Sequence, residues 1–233
     1  MRVGIIQSSF IPWRGYFDFI ASVDVFVFLE SAQFTKNDWR NRNKIKTPSG
    51  VVWLSVPVRH ISLSQRIDET EIENNQPWVR RHMNAWQLNY AKAPFYQDIK
   101  ELLSPLKEIE FRMISELNIF LIRSICAYLE IKTRLVHSSE LNVEGGRTER
   151  LINIVKSLEG VCYLSGPAAD AYLDQGLFAK AGVVLEYKSY DYAPYPQLWG
   201  GFEGAVTILD LIANCGKEAV HHFRSRTPDI RIA

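Results

Sequence analysis

The feature that most limits the folds open to this chain is the way its hydrophobic period changes along its length. Short apolar runs separated by helical stretches occur at both ends: Val3 to Ile6, VFVFLE from Val25, RLVHSS from Arg134, VCYLSG from Val161 and VVLEYKSYDY from Val183. Between them, from Gln76 to about residue 131, apolar residues recur at helical spacing. Strand, helix, strand, helix, strand at these lengths implies right-handed parallel crossovers. The expectation is therefore an α/β fold with a mostly parallel, Rossmann-like sheet, a single domain over residues 1–233. It carries an inserted β-hairpin at about 44–72 and a helical layer at about 76–131.

Local signals fill in the elements. KIKT, a Pro48-Ser49-Gly50 turn and VVWLSVPV read as the hairpin, and RIDETEI, with Ile67 and Ile72, as a further short strand. Pro77 suits the first turn of a helix that aligns Trp78, His82 and Trp86 on one face. Pro94 ends that helix, Pro105 is expected to kink the next, and Phe111, Ile114, Leu117, Leu121, Ile125 and Tyr128 mark a third. Thr148 is the expected cap of RTERLINIVKSL, Pro167 the start and Gly182 the end of the following helix. A last helix from Val206 to Asn214 stops at Gly216 before a short polar tail.

Composition narrows the function classes. Lys and Arg number 27 against 26 acidic residues, a net charge of +1, which gives no reason to expect a polyanion and disfavours nucleic acid as partner. Cys126, Cys162 and Cys215 lack paired spacing and read as buried thiols in a reducing compartment. The N-terminal apolar run is too short for a signal sequence and no 18-residue apolar stretch follows, so the reading is a cytoplasmic protein without membrane insertion. The five histidines do not form HExxH, so no metal site is expected. GxGxxG, GxxxxGK[ST] and GxSxG are absent, so dinucleotide-fold dehydrogenases, Walker-type phosphate binders and nucleophile-elbow hydrolases lose their usual support, and the cofactor is unknown.

Candidate site residues cluster where strands end, because ligands of open parallel sheets bind beyond the carboxyl ends of the strands. Gln7 and the N–H groups near Gly15 follow the first strand. Gln33, Lys36, Asn37, Asp38, Trp39, Asn41, Arg42, Asn43 and Lys44 follow the second within twelve residues. Of these, Gln33, Lys36, Asn41 and Arg42 suit phosphate or carboxylate oxygens. Ser165 and Gly166, leading into Pro167, are expected beside them. Glu30 and His82 are the candidates for proton transfer. The plainer alternatives are solvated loop charges for Lys36 and Arg42, capping for Glu30 and a packed helix position for His82.

Two resemblances add to this reading. Phe10, Pro12, Gly15 and Tyr16 form a loop similar to the FxPxHxGH loop of nucleotidylyltransferases, but one residue shorter and without either imidazole. More extensively, PWRGYFDFI, VDVFVFLE, QFTKNDWRNRNKI, VVWLSVPV, WVRRHMNAWQLNYAKAPFY, TERLI, YLSG and YPQLWGGFEGAVTILDLIANCG resemble the WbqC-like proteins of bacterial polysaccharide and related biosynthetic clusters. Two departures touch the site: Glu30 stands where the family more often has Asp, and the Ser165-Gly166-Pro167-Ala168 loop is less glycine-rich. The resemblance implies a transferase that modifies an activated, nucleotide-linked or anionic sugar or small intermediate, with a glycyl or other acyl group. The alternatives are a non-catalytic module that binds a nucleotide-linked ligand, and a nucleotidylyltransferase-like enzyme with a degenerate phosphate loop.

Overall fold

The expected parallel sheet forms, and its strand order creates a fork at the first strand. In the computed structural model, which describes residues 1–232, six strands make the main sheet: β1 (Arg2–Ile6), β2 (Val25–Phe28), β5 (Arg134–His137), β6 (Cys162–Ser165), β7 (Val184–Tyr187) and β8 (Ile230–Ile232). Their order is β5-β2-β1-β6-β7-β8, with every pair parallel except β7 and β8. From β1 the chain first builds outward on one side through β2 and β5, then crosses to β6 and β7 on the other. A separate antiparallel hairpin pairs β3 (Arg42–Thr47) with β4 (Gly50–Ser55).

Alternation along the central strands sorts side chains into two cores. Val3, Ile5, Val25 and Val27 face α5 (Arg147–Ser157) and α6 (Gln175–Ala181), meeting Ile152, Val155 and Phe178. Phe26 and Phe28 face the other way, onto Phe17, Phe19 and Ile20 of α1 (Arg14–Ala21). That layer continues through α2 (Trp78–Tyr90), α3 (Tyr96–Leu103), α4 (Ile114–Tyr128) and α7 (Ile208–Cys215). Each such side chain stabilises the fold by about 1.5 to 3 kcal/mol through burial. Gly4 sets how closely α1 lies on β1, because a Cβ there would come within 2.4 Å of Phe19 Cε1.

Several local expectations are corrected. RIDETEI forms a 3-10 turn at Ile67–Glu69 instead of a strand, closed by Arg66, whose N–H donates to Glu69 Oε2 (3.0 Å) and whose guanidinium meets Asp68 (2.8 Å). Pro105 lies in a 3-10 turn after α3 has ended, consistent with its missing N–H. Thr148 is not the cap of α5; Gly146 is, and Thr148 Oγ1 accepts the Asp174 N–H at 3.3 Å. The helix expected from Pro167 is split, since Pro167–Ala171 is 3-10 and Asp174 starts a new helix by accepting the Leu177 N–H at 3.1 Å. The tail is also more than polar chain, because β8 closes the sheet edge. No helix among the described residues is long and apolar enough to cross a membrane.

Candidate functional site

Because β1, β2 and β6 are parallel, their carboxyl ends and the loops after them share one edge of the sheet. At the fork between β1 and β6 that edge opens into a cleft of about 730 Å³. Ile6 at the end of β1, Ser9 after it, Arg14 and Tyr16 of α1, and Gly166 to Ala168 after β6 border it, together with Trp39, Arg40, Tyr190 and Tyr192. This is where open α/β sheets offer a ligand crevice.

The base of the cleft is a fixed polar frame. Glu30, fully buried after β2, accepts the Ser8 N–H and the Ser8 hydroxyl, each at 2.7 Å. Burial raises the Glu30 pKa, while those two donors and Arg40 oppose the rise. Arg40 reaches back to the strand end, donating to the Ser8 carbonyl (2.8 Å), the Ser9 hydroxyl (2.8 Å) and the Gln7 carbonyl (3.3 Å). Asn118 of α4 ties Ser8 Oγ to the Arg40 carbonyl. The Tyr16 hydroxyl donates to the Gln7 carbonyl at 3.0 Å, and burial first, then Glu30, raises its pKa well above the usual phenol value.

The loop from Gln7 to Trp13 is held under strain. Ile11 has φ of 39°, a left-handed conformation costly for a β-branched residue, about 1 to 3 kcal/mol. Asn43 of β3 offsets this by donating to the carbonyls of Phe10 (3.1 Å) and Ile11 (2.7 Å). The Phe10 N–H bonds the Trp39 carbonyl, and the Ile208 N–H bonds that of Pro12. The loop is thereby fixed from three sides.

One wall is aromatic. Trp13 packs against Tyr190 and Tyr192 with ring centroids 5.3 and 5.7 Å apart. Its indole folds over the first turn of α1, where only glycine fits: a Cβ on Gly15 would lie 2.3 Å from the ring. Behind this wall sits Arg14, only 5% exposed, with its guanidinium carbon 4.7 Å from the Tyr192 ring and 5.2 Å from that of Tyr195.

The residues expected at the site divide into three groups. Tyr16 and Gly166 border the cleft, and Gln7, Glu30 and Ser165 stand at the strand ends beneath or beside it. Gly15 is at the start of α1 but lies under Trp13, so the indole, not open backbone, meets that side of the cleft. Gln33, Lys36, Asn41 and Arg42 do not border it. Gln33 bonds the Leu63 carbonyl, Asn41 the Val56 carbonyl, and Lys36 is exposed. Arg42 bonds the Asn37 carbonyl and stacks 4.2 Å over Trp53 on the hairpin.

His82 is likewise outside the cleft. It is 5% exposed, its Nε2 donates to the Ser55 carbonyl at 3.0 Å, and its ring packs on Phe10 and Trp78. Burial lowers its pKa to about 4.

Sequence reasoning passed over Arg14, Arg40 and the Tyr190 and Tyr192 wall. Arg14 had a legible signal: a cation in the first turn of a helix opposes the dipole, a local conflict of the kind functional sites carry. A second opening of about 710 Å³ lies on the helical layer, among Trp78, Tyr96, Lys100 and Phe111, and shares no residue with the strand-end cleft.

Comparison with known proteins agrees with the motifs. The family model described as WbqC-like protein family matches residues 7–222. Uncharacterized protein Rv1507c of Mycobacterium tuberculosis is 43% identical over 226 residues, covering 96% of this chain and 97% of that protein. No solved structure matches the chain. With the match running from the end of β1 to beyond α7, the chain belongs to the WbqC-like protein family.

Proposed function

We propose that this protein is a transferase that binds an activated small molecule, nucleotide-linked or otherwise anionic, in the cleft between β1 and β6. There it modifies the molecule with a glycyl or other acyl group. The observation that carries the reading is the cleft itself: a strand-end crevice with an aromatic wall of Trp13, Tyr190 and Tyr192 facing Ser9 and Arg40. Flat aromatic faces suit a base or sugar ring, and the Ser9 hydroxyl suits a polar substituent. Arg40 and Tyr16 hold the strand-end carbonyls in place, which keeps the ligand-facing backbone preorganised. His82, in this reading, belongs to the core and Glu30 to the frame.

A non-catalytic binding module is the second reading. It is favoured by the engagement of both carboxylate oxygens of Glu30 with Ser8, which leaves no free carboxylate or imidazole among the described residues that line the cleft. A nucleotidylyltransferase-like site has less support, because Trp13 covers the first turn of α1 where such a site would place phosphate.

Calorimetric titration with nucleotide-linked sugars and the matching free sugars, followed by single-turnover assays with glycyl and acyl donors, tests the choice. Base stacking contributes about 1 to 3 kcal/mol, so Trp13→Ala and Tyr190→Ala should each weaken the nucleotide-linked ligand roughly 5- to 150-fold. Binding without product for any donor supports the module. Equal binding of free sugars, indifferent to both substitutions, contradicts the site.

A further inference from the structure

Arg14 carries a buried charge for which no counter-ion stands among the described residues. Nη1 donates to the carbonyls of Ala193 (2.8 Å) and His222 (3.0 Å), but Nε is buried with no acceptor and Nη2 makes no hydrogen bond. No carboxylate among the described residues comes within ion-pair distance of it. Asp18, four residues along α1, is the natural partner by spacing. It is already taken: it pairs with Lys188 at 2.9 Å and accepts from the Tyr192 hydroxyl and the Ser225 N–H.

Three rings, of Tyr192, Tyr195 and Phe202, lie 4.7, 5.2 and 5.4 Å from the guanidinium carbon. Cation–π attraction of this kind offsets part of the desolvation cost but leaves the charge uncompensated. Burial accordingly lowers the Arg14 pKa, against the influence of Tyr195 and Tyr192.

The unused part of the group is chemically specific. Nε and Nη2 form one edge of the guanidinium, two parallel N–H donors that match a pair of oxyanion oxygens. That edge meets the cleft at Gly204 through Nη2, while Nε is closed off behind it. A Cβ there would stand 3.8 Å from Nη2, and both Gly204 and Arg14 border the cleft. Arg40, the other cleft cation, is spent on the Ser8 carbonyl and the Ser9 hydroxyl and lies 3.8 Å from Asp38.

We propose that Arg14 is an oxyanion site within the cleft, and that its Nη2 receives a phosphate oxygen of the ligand. The assignment rests on the reading of the cleft as a nucleotide-linked small-molecule site, and it names the group that discriminates charged from uncharged forms of that ligand. Recognition comes from a side chain, in place of the helix N-terminus that Trp13 covers.

The test compares uridine 5′-monophosphate with uridine on wild type, Arg14→Gln, Arg14→Lys and Gly204→Val. The wild type should prefer the phosphorylated form by roughly ten- to a hundredfold. Arg14→Gln should abolish the preference without weakening uridine, and Arg14→Lys should keep only part of it, since an ammonium lacks the fixed planar direction of the guanidinium N–H groups. Gly204→Val leaves the guanidinium in place but fills its margin, so it should also lose the preference. It decides the matter if Arg14→Gln does not fold. A preference that survives both Arg14→Gln and Gly204→Val overturns the proposal, as does an absence of preference in the wild type.

Should neither uridine nor its monophosphate bind, the nucleotide reading of the cleft fails by itself, and inorganic phosphate becomes the probe. A rise in melting temperature with phosphate at matched ionic strength, seen in wild type and lost in Arg14→Gln, retains the oxyanion site. An equal rise in both, or none, rejects it.

Discussion

His82 and Arg14 are both buried cationic residue types, yet their surroundings ask different things of them. His82 has a carbonyl to donate to, and burial holds its pKa at about 4 against 6.5 for an ordinary imidazole. Below pH 6.5 the unfolded chain takes up a proton that the folded protein refuses, so the stability tied to neutral His82 is complete above 6.5 and is lost as the pH falls toward 4. The loss amounts to about 3 kcal/mol. His82→Gln, whose amide can still donate to Ser55, should show a shallower decline over that window in denaturant titrations. It should also bind ligand as the wild type does. Glu30, with its raised pKa, acts in the opposite direction but is common to both proteins. An identical acid slope in the variant would place the titrating group elsewhere.

The same two residues show what was readable from sequence. Helical spacing put His82 on one face with Trp78 and Trp86, and all three are buried together. Spacing shows which residues share a face but not what that face meets, and here it meets the core and Phe10, not the cleft. Arg14 and Asp18 suggest an i, i+4 pair, but Lys188, distant in sequence, claims the carboxylate.

At the scale of elements, α1 is the piece that joins fold to site, since one side packs on β1 and its first turn carries Arg14 and Tyr16 into the cleft. Its seating depends on Gly4. In Gly4→Ala the new methyl must displace the Phe19 ring, so the protein should lose about 1 to 3 kcal/mol, measurable as a lower denaturation midpoint. Adding Phe19→Leu should recover part of that loss. A midpoint unchanged in Gly4→Ala would mean that α1 does not sit this close to the strand.

Elements with strong periodicity were legible, among them β1, β2 and α4, because burial on a defined face imposes the pattern. The split before α6 and the existence of β8 were not. Asp174 as a cap competes with an uninterrupted run of helix-compatible residues, and β8 has three residues whose place is set by pairing with β7. Ion pairs of Asp229 with Lys188 (3.0 Å) and Arg2 (2.7 Å) fix that tail, contacts far apart in sequence.

For the whole molecule, alternation at the two ends foretold a parallel sheet, whereas the position of the fork depends on strand order. The long insertion carrying the hairpin and α2 to α4 separates β2 from β5, yet the two strands are neighbours, which leaves β1 free to pair with β6. That arrangement brings Ser9, Arg14, Gly166 and Tyr190 around one opening, although they come from three separated segments.

The central claim is that this opening, and not the comparably sized one on the helical layer, is where the ligand binds. A crystal structure of the protein with a nucleotide-linked sugar tests it most directly. The account predicts the base or sugar ring against Trp13 and Tyr190, with a phosphate oxygen at hydrogen-bonding distance from Arg14. A ligand seated instead among Trp78, Tyr96 and Phe111, with the strand-end cleft empty, would contradict it.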